Sequence, residues 1–509
     1  PVLVLQTGIK LTNEPPKGVR ANMKRTFNDI QEDVWEGCSK LQPYKKLVFA
    51  LSTFHAIIQE RRKFGPLGWN IRYEFNASDI ECSMLTLKMF LEEQDEIPWA
   101  ALVYVTGQIN YGGRVTDDLD RRCLMSILKK YYLPDILDDS YRFTPSGTYY
   151  APPEGDLFSF RDYLEQLPLT EAPEVFGMHP NANITFQLQE TRKMMDTILS
   201  IQPRATSAEG GKSPDEIVAA LAAEIESNIA PPLDLDDACP GLFDRTASGQ
   251  LKSLSVVLGQ EIERFNKLTR RVLSSLKELQ KAIKGIVVMT GELEQMYTDF
   301  LNNKVPGLWE KVAYPSLKPL GGWIVDYHRR IDFMRTWLTK GNPKSYWLSG
   351  FFFPQGFMTG VLQEHARKYQ QPIDALNFNF QVLEGKEVAE DITEAPEDGV
   401  LIDGLYVDNA RWNREMKYLD ESDPGVMISN LPVVHFVPVM GYYPPPLLAP
   451  ADPKEYQCPL YKTSVRAGIL STTGQSTNFV ICVGLPIRPG TDSDFWVLQG
   501  VALLCATND

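Results

Sequence analysis

Three stretches of this chain bring reactive residue types close together. Gly210-Gly211-Lys212-Ser213 ends as a phosphate-binding loop ends, with a lysine for phosphate oxygens and a serine for magnesium. Such a loop also needs a glycine five residues before Gly211, after a buried strand, so that backbone N–H groups converge on the phosphates. Thr206 stands there instead, a helix and a polar linker precede it, and Pro214 removes a donor from the next turn. The segment reads as a linker with a helix cap. His55-Ala-Ile-Ile-Gln-Glu60 approaches a zinc-protease motif, but the second histidine, needed four residues on to grip zinc from one helix face, is Gln59. The five histidines (55, 179, 328, 365, 435) are dispersed, and His55 reads as a structural residue. No G-x-S-x-G elbow marks a hydrolase nucleophile. No catalytic, cofactor-binding or metal-binding residue is assigned.

The rest of the composition narrows the class. A length of 509 residues calls for two to four packed units, and 43% apolar residues can fill their cores. A net charge of -14 argues against nucleic acid, whose phosphates need a basic face. The pairs Arg61-Arg62, Arg121-Arg122, Arg270-Arg271 and Arg329-Arg330 read as solvated faces or ion pairs. Seven cysteines (38, 82, 123, 239, 458, 482, 505) lie far apart without CxxC or Cys-His spacing, the pattern of reduced, mostly buried thiols in a cytosolic compartment. The sequons at Asn76 and Asn183 read as chance matches. The longest uncharged apolar stretch, 433–450, holds five prolines and cannot form an unbroken membrane helix. The chain opens at Pro1 on VLVLQTGIKL, which reads as mid-protein sequence.

These residues need elements to position them. Residues 1–10 are strand-like, and a helix follows with Pro16 in its first turn. Leu47, Leu51, Phe54 and Ile58 share one helix face, as do Ile80, Met84, Leu87 and Leu91 on a helix from Ala77. Asp117 or Asp118 caps a third helix through Leu124, Ile127 and Leu128. Residues 134–182 are irregular and aromatic, and a helix runs over 184–201. After the polar boundary at 202–213, Ser213-Pro-Asp-Glu216 forms a capping box for a helix with Ile217, Leu221 and Ile225 inward. The strongest helix spans 249–284; its apolar steps of three and four fit a buried bundle helix better than a coiled coil. Helices near 291–302, 321–340 and 355–370 follow. From about 373 the pattern changes to short strands: LNFNFQVLE, GVLIDGLYV, VVHFVPVM, LYKTSVR, NFVICVGL and FWVLQGVALL. They suggest a small antiparallel barrel or sandwich, with the acidic run from Glu387 to Asp398 as a hairpin loop.

Several long phrases carry a family resemblance. FHAIIQERRKFGPLGWNIRYEFN (54–76), TNEPPKGVRANM (12–23), YGGRVTDDLDRR (111–122) and FGMHPNANITFQ (176–187) resemble the lid of the last AAA+ module in dynein heavy chains. AIKGIVVM (282–289), YPSLKPLGGWIVD (314–326) and SGFFFPQGFMTG (349–360) resemble the dynein C-terminal domain, in family order, with HARKYQQPID (365–374) leading into the strands. Phe352 to Phe357 and Arg61 to Phe64 resemble axonemal more than cytoplasmic heavy chains; Leu119 departs from the axonemal pattern, which more often has Trp.

The resemblance implies an α+β fold. Residues 1–11 would end a preceding AAA+ large subdomain, 12–203 form the helical lid and 204–212 a linker. Residues 213–372 would form the bundle-like helical part of the C-terminal domain, and 373–509 its β-rich cap. It implies a non-catalytic, ring-structural and regulatory portion of an ATP-driven, minus-end-directed microtubule motor of cilia and flagella, placed in the cytoplasm, cytoskeleton and axoneme. ATP and magnesium would bind the parent protein N-terminal to this region, and none here. The partners implied are the rest of the AAA+ ring, the first module above all, with microtubules and other dynein chains bound by the parent; neither nucleic acid nor membrane is a partner. Arg20 would correspond to a sensor-two arginine but reads as half of a structural ion pair. The alternative is an independent protein-interaction adaptor using the β-rich cap.

Overall fold

The structure is a computed structural model, described at residues 7–9, 16–153, 155–201, 213–245, 249–441, 454–468 and 476–508. Most of the strand expected over 1–10, most of the boundary linker and half of the 433–450 stretch lie outside these residues, and residues 7–9 are not in a strand. The chain divides into two units. Unit 1 comprises Pro1–Gln187 and Asp494–Gly500; unit 2 comprises Leu188–Ser493 and Val501–Asp509.

Unit 1 is built from α1 (Val19–Asp29), α2 (Leu41–Glu60), α3 (Ala77–Glu93), α4 (Asp118–Leu128) and α5 (Leu157–Gln166). α2 is its axis, buried on every side from Tyr44 to Ile58 and not only on the expected face of Leu47, Leu51, Phe54 and Ile58. Val19, Met23 and Phe27 of α1 are fully buried, and Phe27, Trp35, Phe49 and Phe160 form an aromatic cluster with centroids 4.9–6.3 Å apart. Pro16 is not in the first turn. α1 starts after Gly18, whose φ of 98° no helix tolerates, and the Pro16 carbonyl accepts from the Asn22 side chain at 3.0 Å. In place of a local cap, Glu171 accepts from the Val19 N–H at 2.5 Å. α3 and α4 start as their caps predict: Asn76 and Asp79 make a reciprocal capping box, and Asp117 accepts from Leu119 and Asp120 N–H. The region 134–182 is less irregular than its composition suggests. It contains α5, because Leu157, Phe160 and Leu164 recur at helical spacing behind an Asp156 cap.

α6 (Asn181–Ile201) carries the polypeptide out of unit 1. Unit 2 then has α7 (Pro214–Asn228), α8 (Ser253–Ile283), α9 (Gly291–Leu301), α10 (Leu320–Lys340) and α11 (Pro354–Tyr369). The Ser213/Glu216 capping box opens α7 as expected. Its inward face is Val218, Ala222 and Ile225, whereas Ile217 is exposed. α8 touches α7, α9, α10 and α11 and is a bundle helix. Its buried Glu261 accepts from the N–H groups of Phe352 (2.6 Å) and Phe353 (3.1 Å) and pairs with Arg264. Arg330 pairs with Asp326 at 2.6 Å, and Arg270 and Arg271 are solvated, both within the expected reading of the dibasic pairs.

The β-rich part is made of sheets as expected, but they are not purely antiparallel. Its strands are β1 (Tyr346–Trp347), β2 (Leu376–Val382), β3 (Val400–Asp403), β4 (Tyr406–Asp408), β5 (Ala410–Asn413), β6 (Tyr418–Glu421), β7 (Ile428–Asn430), β8 (Val434–Met440), β9 (Glu455–Tyr461), β10 (Phe479–Pro486) and β11 (Ala502–Leu504). They form sheets ordered β1-β3-β8-β2 and β10-β9-β11-β4-β7, with β5-β6 as a separate pair. Among the described residues no sheet closes, and β1–β3 and β9–β11 are parallel. GVLIDGLYV is two strands in two sheets, because Gly404 at φ 72° turns the backbone between β3 and β4. The acidic run is not a hairpin loop: β2 and β3 pair with opposite sides of β8. FWVLQGVALL is a helix, Ser493–Leu498, followed by β11, with Gly500 at φ 70° between them.

Truncating Glu261 would orphan two backbone donors and Arg264. Glu261→Ala is expected to destabilise unit 2 by about 2 kcal/mol, with Glu261→Gln milder. Equal thermal unfolding midpoints for wild type and Glu261→Ala would count against this role.

Candidate functional site

At the end of α2 the sequence Glu60-Arg61-Arg62-Lys63-Phe64-Gly65-Pro66-Leu67-Gly68 leaves the helix in a tight turn. Gly68 is required there, since a Cβ would stand 1.8 Å from the Arg61 carbonyl oxygen. The turn wraps round the Arg61 side chain and buries it completely. Its guanidinium donates to Phe176 O through Nη1, to Gly68 O through Nε (3.4 Å), and to Leu498 O (3.2 Å) and Leu67 O (3.5 Å) through Nη2; Cys123 Sγ lies 3.4 Å from Nη2. Among the described residues it has no carboxylate partner, so it is neither a solvated face nor an ion pair. Carbonyl dipoles solvate the charge instead.

Leu498 belongs to the helix Ser493–Leu498, whose residues from Asp494 on are part of unit 1. At the start of this inserted helix, Asp494 accepts from Ser126 Oγ at 2.8 Å and pairs with Lys129 at 2.7 Å. Gly177 makes room for its end: a Cβ there would sit 3.0 Å from Leu498 Cβ.

Two further polar centres lie in unit 1. Asp120 is buried and accepts from Asn70 N (2.8 Å), Ile71 N (3.0 Å) and Tyr73 OH (2.9 Å), tying α4 to the segment after the Arg61 turn. Burial, aided by the Asp117 charge, pushes its carboxyl up to about 7. A groove of about 850 Å³ runs between α1, α2 and α3, with Asn22, Arg25, Tyr44, His55, Glu60 and Phe75 in its wall. Glu60 accepts from Asn22 at 3.0 Å, and burial raises its carboxyl. His55 is buried 2.9 Å from Tyr111 OH, and burial pushes it down to about 4, so the ring is neutral at neutral pH.

A family model for the C-terminal domain of dynein heavy chains matches residues 188–505, and one for their AAA lid domain matches residues 44–182. The protein belongs to the dynein heavy chains. It is 49% identical to human "Dynein axonemal heavy chain 6", 46% to human "Dynein axonemal heavy chain 3" and 43% to human "Dynein axonemal heavy chain 1". These alignments extend over 99–100% of its residues and 12% of each relative. Identity along the full length to heavy chains leaves the independent adaptor reading without support.

The residues of the near-motifs that the structure describes have structural tasks. Gln59, the missing zinc ligand, donates to Phe75 O at 2.9 Å. Residues 210–212 of the Gly-Gly-Lys-Ser run lie outside the described residues; its Ser213 accepts from Glu216 N at 3.2 Å as the cap of α7. Arg20 pairs with Glu165 at 2.7 Å and donates to Leu167 O. Among the described residues no group of three His, Cys, Asp or Glu could hold a metal. Two of the dispersed histidines do meet: His365 Nδ1 lies 2.8 Å from the Asp398 carboxylate and His435 Nε2 lies 2.8 Å from the Asp398 carbonyl. The Arg61 cradle was missed by sequence reasoning. Its one local trace is the pair of glycines, Gly65 and Gly68, directly after the basic run.

For His55 the folded value lies below the ordinary 6.5, so the unfolded state binds the proton more readily. Stability is therefore fully present above about pH 6.5 and is lost as pH falls toward 4, by up to roughly 3 kcal/mol. Unfolding midpoints of wild type and His55→Gln should converge over that window; parallel curves would exclude His55 as the titrating group.

Proposed function

We propose that this protein is the non-catalytic C-terminal portion of an axonemal dynein heavy chain, bracing and regulating the AAA+ ring of an ATP-driven microtubule motor. The observation that carries the reading is identity of 43–49% along the full length to proteins named as axonemal heavy chains. The chain spans about an eighth of their length. The parent would bind ATP and magnesium elsewhere, hold microtubules and other dynein chains, and work in the axoneme of a cilium or flagellum. The partner of this portion would be the rest of the ring, the first module in particular. Residues 1–11 would close the preceding large subdomain, 12–203 form the lid, 204–212 the linker and 213–509 the C-terminal domain.

The buried polar groups support a structural task. Arg61, Asp120 and Glu261 spend their hydrogen bonds on groups of the protein itself, mostly backbone N–H and C=O. A site for transferring a phosphoryl group needs donors aimed at open space where charge develops. Rigid elements cross-linked in this way can pass a conformational change without holding nucleotide.

Calorimetric titration of the 509-residue protein with ATP and magnesium is expected to show no stoichiometric binding at micromolar affinity. A one-to-one micromolar isotherm would refute the non-catalytic reading and leave the family assignment standing.

A further inference from the structure

We infer that the inserted helix Ser493–Leu498 is a removable staple, received by Arg61, that couples unit 1 to the central strand of the five-stranded sheet. The receptor is built for an occupant. Of the acceptors round the guanidinium, Leu67, Gly68, Cys123 and Phe176 come from the first part of the sequence, whereas Leu498 O arrives from 437 residues away. With the helix withdrawn, Nη2 of a fully buried cation loses a carbonyl and keeps only a long contact to Leu67 O and a thiol.

The occupant is built for the receptor. A six-residue helix does not persist alone, so its folding and its seating are one event. Its ends are held with opposite polarity, as the peptide dipoles favour: a carboxylate at the N-terminal end with Lys129, and a terminal carbonyl on a guanidinium. Trp496 is fully buried, and Gly177 and Gly500, both at φ 70°, admit the backbone. A Cβ on Gly500 would lie 2.9 Å from Leu67 O, in the same turn that encloses Arg61.

The coupling is covalent and short. Only Gln499, Gly500 and Val501 separate the helix from β11, which lies between β9 and β4 and pairs with both. Leu498 and Ala502 are four Cα steps apart, about 14 Å at full extension, so withdrawing the helix beyond that tether strains the pairing of β11.

The test is hydrogen exchange by mass spectrometry on the 509-residue protein, comparing wild type with Arg61→Met and Asp494→Ala. Both variants should exchange the amides of 494–500 at least tenfold faster than wild type and those of 502–504 faster too, with 253–283 unchanged. Wild-type rates over 494–500 in both variants would overturn the staple. Fast exchange at 494–500 with 502–504 unmoved would overturn the coupling, and acceleration equal to that of 253–283 would reduce the effect to general destabilisation and overturn both. If Arg61→Met does not fold, Asp494→Ala decides by the same criteria, since Asp494 lies at the other end of the helix and partners the half-exposed Lys129.

Discussion

The burial of one positive charge without a negative partner constrains unit 1 more than any other interaction. A guanidinium taken out of water costs several kcal/mol unless its donors are satisfied. Hydrogen bonds from a charged donor return about 1.5–3 kcal/mol each. Arg61 meets that requirement only where the end of α2, the turn through Gly68, the Phe176 segment and the inserted helix converge. Each oxygen acceptor is a backbone carbonyl, so what Arg61 reads is backbone position. Lysine could not replace it, because a point charge cannot serve carbonyls in several directions from one planar fork.

The same device recurs with opposite sign. Asp120 gathers two N–H groups and a tyrosine hydroxyl to hold the segment after the Arg61 turn, and Glu261 gathers two N–H groups to hold the Phe351-Phe352-Phe353 run against α8. Buried charges here fix loops that lack regular hydrogen bonding of their own. This explains why reactive residue types are plentiful while their polar atoms are taken up by the fold.

Much of the helical architecture was legible because its signals are local. The α2 and α8 stripes repeat every three or four residues, and the Ser213/Glu216 and Asn76 caps act within one turn. The same locality produced the errors. Pro16 looks like a helix start until Glu171, 152 residues away from Val19, supplies the cap, and Ile217 fits an inward face as well as Val218 does, yet the folded helix buries Val218 and exposes Ile217. The strand-like FWVLQGVALL has the composition of a buried strand, and only its surroundings make half of it a helix.

The sequence alone determined the family, most of the long helices with the change to strands after them, and the failure of each near-motif at a named position, because these depend on neighbours within a few residues or on long ordered phrases. Tertiary structure alone decided that Arg61 is buried rather than solvated, that residues 494–500 complete the first unit, and that the strands form open sheets with parallel pairs. The physical reason is separation in sequence. Arg61 finds its acceptors up to 437 residues away and β11 pairs with strands on either side of it in the sheet, so no local periodicity encodes these partners.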